Sequence, residues 1–213
     1  PGQTPDIWKR DINRIIELSP EHISAYTLTV EKGTELFHMV NSNEVTMPGE
    51  SISADWFNLT RSYLSEHQYI PYEISNFSKP EKECRHNLHY WNIDPYMGFG
   101  PSAHSFDGNQ RWNNVRSLDQ YIKKMDEELS PISSNETLTP TQKLNERIGF
   151  GLRLNEGIDL DKFSEIQKKQ FNQNMKQHRS KWDDYIEYNG KTVKLNELGF
   201  AFADEIAVDL ILK

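Results

Sequence analysis

Apolar residues at Trp8, Ile12, Ile15 and Ile16 recur at helical spacing, and Thr4 followed by Pro5 supplies an N-cap with proline at the first helical position. The pattern predicts a helix ending near Leu18. The next run, His22 to Val30, is rich in β-branched and aromatic residues, too short for a stable helix and followed by Gly33, so it reads as a strand. A second amphipathic helix, capped by Ser51 or Ser53, carries Trp56, Leu59, Tyr63 and Leu64, and the stretch YIPYEISNF reads as another short strand containing Pro71. Helix alternating with strand at this spacing predicts βα units on a parallel sheet, with the loops after Val30 and Phe77 facing a site.

From about Ser130 the pattern changes. Thr139-Pro140-Thr141-Gln142 is a capping box with proline at the first helical position, and Leu144, Ile148 and Leu152 form an apolar face. Asp159 is expected to cap a further helix with Leu160, Phe163 and Ile166 inward. YIEYNGKTVKL predicts a β-hairpin in which Asn189 and Gly190 supply two positive φ angles of a type I′ turn, and Asn196 caps a last helix reaching Leu212. Residues 1–128 and 129–213 are therefore expected to form two units, divided in the Ser-, Pro- and Asn-rich stretch Glu127 to Leu138. The second is mostly helical and winged-helix-like, with one hairpin.

The composition narrows the function. In 213 residues, 36% are hydrophobic, 26% are charged and the formal net charge is −8. That balance suits a folded domain and opposes a nucleic-acid partner, whose phosphates are bound by lysine and arginine. No run of about 18 apolar residues marks a membrane span, and no leader pattern opens the chain, so the expected location is cytoplasmic. A single cysteine excludes an internal disulfide and a cluster held by cysteines of this chain alone. The opening PGQTP reads as a turn entered from an element upstream, which predicts that the chain is part of a longer one.

The densest chemistry lies in CRHNLHYW, Cys84 to Trp91, and in YMGFGPSAHSF just beyond it. The first stretch is expected in the long loop after the second strand. His86, His89, Cys84 and His104 could offer nitrogen and sulfur donors to a metal, although His-x-x-His without a second pair is weak for zinc and hydrogen-bonded loop side chains are the simpler reading. The same residues suit haem: His86 as an iron ligand, Tyr90, Trp91 and Tyr96 as walls, and Arg85 or Arg111 as partners for the propionates. Gly98 and Gly100 would let backbone approach a ligand or close a tight turn, but lack the third glycine of a dinucleotide fingerprint.

In order along the chain, PGQTP, EHISAYTLTVEKGTEL, YEISNF, ECRHNLHYW, YMGFGPSAHSF, RWNNV, GLRLNEGIDL and LGFAFADEI resemble the oxygen-independent coproporphyrinogen III oxidase-like radical S-adenosylmethionine proteins. His86-Asn87-Leu88-His89-Tyr90-Trp91 matches the HNxxYW motif of that family's haem chaperone branch. The resemblance implies an α/β chain: the C-terminal part of an incomplete radical-enzyme (β/α) barrel followed by a small helical domain. It implies haem contacts at Arg85, His86, Asn87, Tyr90 and Trp91, with His86 on the iron, and haem-acceptor proteins as partners. In the full-length protein it also implies a [4Fe-4S] cluster and S-adenosylmethionine, the latter's pocket drawing on Thr27, Leu28, Thr29, Gly98 and Gly100. The family's three cluster cysteines, in a CxxxCxxC loop, are absent here, so no radical chemistry is expected from this chain alone. Open strand edges of a partial barrel make dimerisation an expectation. The alternative implied activity is oxidative decarboxylation of coproporphyrinogen III by the full-length protein.

Overall fold

The computed structural model describes residues 1–212, the side chain of Glu50 excepted. The first helix, α1 (Pro5–Glu17), starts as its sequence requires, with the Thr4 hydroxyl accepting from the Ile7 amide. Strand β1 (His22–Ser24) follows, then α2 (Glu35–Asn41), α3 (Glu50–Glu66), β2 (Ile70–Pro71) and β3 (Asn76–Ser78). Helix α3 is capped at Gly49, two to four residues earlier than the serine caps predicted. Helix α4 (Arg85–Trp91) occupies the stretch expected to be loop.

The predicted parallel sheet is not found. Strands β1, β3 and β2 pair antiparallel, Ile23 facing Phe77 and Pro71 facing Phe77 from the other edge. The long strand predicted from His22 to Val30 ends at Ser24, and YIPYEISNF folds back at its centre into two short strands. Proline at position 71 donates no ladder hydrogen bond and sits on an edge strand, where that loss is tolerated. Around this sheet Ile12, Ile23, Leu64, Tyr69 and Phe77 form a small core.

A second antiparallel sheet joins β4 (His104–Phe106), β5 (Gln110–Asn114) and β6 (Ile132–Thr137), with α5 (Leu118–Asp126) between β5 and β6. Strand β6 lies within the predicted dividing stretch and pairs with β5, so the backbone ladder runs on through it.

The C-terminal unit has α6 (Pro140–Gly151), β7 (Ile158–Asp159), α7 (Glu165–Trp182), β8 (Ile186–Tyr188), β9 (Thr192–Leu195) and α8 (Ala203–Leu210). The predicted capping box at Thr139 and Gln142 forms in both directions. The hairpin forms too, but as part of a three-stranded sheet in the order β7-β9-β8. Its turn is not type I′: only Gly190 has positive φ, and the Asn189 side chain instead accepts from the Lys191 and Thr192 amides. Leu144, Ile148, Leu152, Ile158, Phe171, Val193, Phe200 and Ile206 belong to the larger core, which this unit supplies. Three small sheets are present and no barrel closes among the described residues.

Candidate functional site

Helix α4 divides the HNxxYW residues between two faces. Asn87, Leu88 and Trp91 are half-buried, while Arg85, His86, His89 and Tyr90 are exposed. The split follows from helical spacing, in which residues i and i+4 share a face.

The inner face anchors the helix to two different parts of the molecule. The Asn87 amide donates to the Tyr72 hydroxyl at 3.4 Å, and that oxygen lies 2.9 Å from His22 Nε2 on β1. Trp91 packs edge-on against Phe150 of α6 with ring centroids 5.7 Å apart, under the guanidinium of Arg153. Arg153 in turn pairs with Asp204 at the start of α8. Asn87 and Trp91, both expected at a haem face, are thus engaged with protein.

The outer face is a platform. His86 and Tyr90 meet edge-to-face at 4.9 Å, and Tyr90 meets Tyr96 at 4.7 Å. Tyr96 opens the next loop, in which Met97 is 64% and Phe99 83% exposed. His86 makes no hydrogen bond and Arg85 no ion pair among the described residues, which leaves an imidazole nitrogen available beside the Tyr90 ring and a cation one residue before it in the chain. This donor set fits haem: nitrogen for iron, apolar surface for the macrocycle, a cation for a propionate. His89 is turned differently, its Nδ1 held 2.9 Å from Asp94. A multidentate metal site does not form: no group of three or more His, Cys, Asp or Glu side chains among the described residues is placed to hold an ion. Arg111 is committed to Glu146 through two hydrogen bonds at 3.0 and 3.1 Å, away from a propionate role.

The residues assigned to S-adenosylmethionine separate. Thr27 and Leu28 line a cleft of about 230 Å³ together with Trp8, Tyr26, Trp56 and Phe57. Thr29, Gly98 and Gly100 are not in that lining. The glycine loop is spent internally: the Gly98 amide donates to Ser105 Oγ at 2.9 Å, and the Gly100 amide to the Tyr121 hydroxyl at 3.2 Å. A Cβ at Gly98 would strike the His104 carbonyl, so this glycine is required by close backbone approach.

Sequence reasoning gave no role to Tyr72, His22 or Arg153, although each lies in a stretch that carries the family resemblance. Tyr72 and His22 are partly buried; burial raises the Tyr72 phenol above its ordinary pKa and lowers the His22 imidazole below its own, so both are held neutral. A polar residue on each of two predicted short strands was the available signal.

The HemN C-terminal domain family model matches residues 138–202. The solved structure of coproporphyrinogen III oxidase (HemN) from Escherichia coli superimposes with a TM-score of 0.75 at 17% identity, over 99% of this chain and 52% of that one. The heme chaperone HemW of Bacillus subtilis is 33% identical over 165 residues, 78% of this chain and 44% of the relative. HemW of Mycobacterium tuberculosis is 29% identical over 211 residues, 99% of this chain and 53% of the relative. A radical S-adenosyl methionine domain-containing protein of Danio rerio is 34% identical over 166 residues, 74% of this chain and 37% of the relative. Residues 138–202 thus form a HemN C-terminal domain, and over most of its length the chain is similar to radical S-adenosylmethionine proteins, several of them called heme chaperone HemW. It spans about half the length of the two HemW relatives. No helix among the described residues is long and apolar enough to cross a membrane.

Proposed function

We propose that this chain binds haem as cargo on the outer face of α4, with His86 on the iron, and that the protein it belongs to delivers haem to acceptor proteins. The observation that carries the reading is the division of α4: its inner residues fasten the helix, while His86 stands exposed without a hydrogen-bond partner among the described residues, edge-to-face with Tyr90. An open platform suits a carrier, because cargo must leave as well as bind, and a single accessible ligand permits exchange with an acceptor's own ligand. Arg85 is the cation nearest in sequence for a propionate. The relatives called haem chaperones support the same reading.

For the full-length protein we propose a [4Fe-4S] cluster and S-adenosylmethionine, as the family's name implies. The cluster's ligands would come from outside these residues, whose lone cysteine is Cys84. When bound, S-adenosylmethionine supplies a radical source; Thr27 and Leu28 would contribute to its pocket through the cleft they line. The likeness to coproporphyrinogen III oxidase keeps decarboxylation of coproporphyrinogen as the second reading, tested by turnover of the full-length protein. A cytoplasmic setting and the absence of a nucleic-acid partner are part of the proposal, the latter on the acidic net charge of −8.

Haemin titration of the chain and its His86→Ala variant, followed at the Soret band, tests the assignment. A saturable shift of about one haem per chain, lost in the variant, is expected. Equal, non-saturating changes in both would remove His86 from the iron.

A further inference from the structure

We propose that Tyr72, held by His22, positions α4 for haem, and that Asn87 is the latch on that post rather than a haem contact. The inference rests on the haem-binding reading of His86.

The hydrogen-bond inventory fixes the direction of the chain. The Asn87 nitrogen can only donate, so the Tyr72 oxygen accepts from it at 3.4 Å. The one phenolic proton is then free to go to His22 Nε2, 2.9 Å away, which requires the neutral ring with its proton on Nδ1. A single oxygen on the segment between β2 and β3 therefore gathers a side chain of α4 and a ring from β1. Helix α4 has only seven residues and no side-chain N-cap, so little within it fixes its place. Its other fastening, Trp91 on Phe150, lies one turn further along. Between the two, the rotation of α4 about its axis is set, and with it the direction in which His86 projects.

The post accounts for an asparagine one residue from the proposed iron ligand without giving it chemistry of its own. The neutral state of both partners suits the role, because a protonated His22 has no acceptor to offer the Tyr72 proton.

The test measures amide hydrogen exchange across residues 84–92 in the haem-free chain, together with haemin affinity at the Soret band. Wild type is compared with Tyr72→Phe, His22→Leu, His22→Gln and Asn87→Ala, with His86→Ala as control. Tyr72→Phe, His22→Leu and Asn87→Ala are expected to speed exchange in α4 roughly fivefold, the equivalent of one net hydrogen bond, and to weaken haemin binding by a similar factor. His22→Gln keeps an acceptor for the Tyr72 proton and is expected to rescue both. Should Tyr72→Phe fail to fold by circular dichroism, Asn87→Ala cuts the same latch from the helix side. Wild-type exchange in these variants, equal defects in His22→Gln and His22→Leu, or loosened α4 with unchanged haemin affinity would each overturn the proposal. Haemin binding by His86→Ala at wild-type strength would instead overturn the haem reading, while exchange still judges the latch.

Discussion

At the residue scale, His22 gives the molecule a pH dependence. Burial lowers its pKa below the ordinary 6.5, so the unfolded chain takes up a proton that the folded chain refuses. The His22 contribution is complete above the unfolded value and declines as pH falls below it. Urea midpoints measured at pH 7.5 and 5.5 are expected to drop at the lower pH by less in His22→Gln than in wild type; an identical drop would discharge His22 from this role. Residue type was readable in the sequence here, whereas burial was not: His22 looked like one more polar position on a strand. The Asn189-Gly190 turn shows the reverse. The hairpin was legible from the dipeptide, but its type depended on whether Asn189 bends its own backbone or bonds the amides beyond, and it does the latter.

Elements that carry their own start signals were read well. Thr4 with Pro5 and Thr139 with Gln142 each determine a helix locally, and both helices begin where they predict. One missed signal of the same kind shifted a phase. Asp159 caps only the short turn Leu160–Lys162, and a second capping box, Ser164 with Gln167, starts α7. That restart leaves Ile166 73% exposed, although inward packing was expected, and buries Phe171 instead. Helix α4 was hidden for another reason: its short apolar face, Leu88 and Trp91, is interleaved with polar residues that chemistry can equally claim. At the glycine loop, Gly98→Ala is expected to cost about 1–3 kcal/mol by forcing a Cβ into the β4 backbone, read as a fall in Tm. Wild-type stability in that variant would mean the loop can open.

At the scale of the molecule, strand pairing lay beyond the sequence. Alternating helix and strand suggested a parallel sheet, yet direction depends on partners distant along the chain, and each of the three sheets is antiparallel. The resemblance to the oxidase family supplied what local pattern could not, and the superposition bears it out for the fold. Helix α3 is tied to the larger core through Arg61, 1% exposed, whose guanidinium donates to the Glu73 and Ile74 carbonyls and stacks 3.9 Å from the Phe200 ring. It also faces the exposed carboxylate of Glu197 at 3.7 Å. Burial lowers the pKa of this guanidinium, which lies against the Phe57 and Phe200 rings. Arg61→Ala is expected to destabilise the chain by about 2–4 kcal/mol in urea unfolding, through the cavity and the lost carbonyl bonds. Glu197→Gln should change little, its carboxylate being solvated.

On the proposed function, α4 holds haem with one face and the protein with the other. The most direct test of that division is to measure thermal stability and haemin affinity together for His86→Ala and Trp91→Ala. His86→Ala is expected to keep the wild-type Tm and lose haem, while Trp91→Ala is expected to lower the Tm of the haem-free chain. A His86→Ala chain that binds haem normally, or a Trp91→Ala chain as stable as wild type, would contradict it.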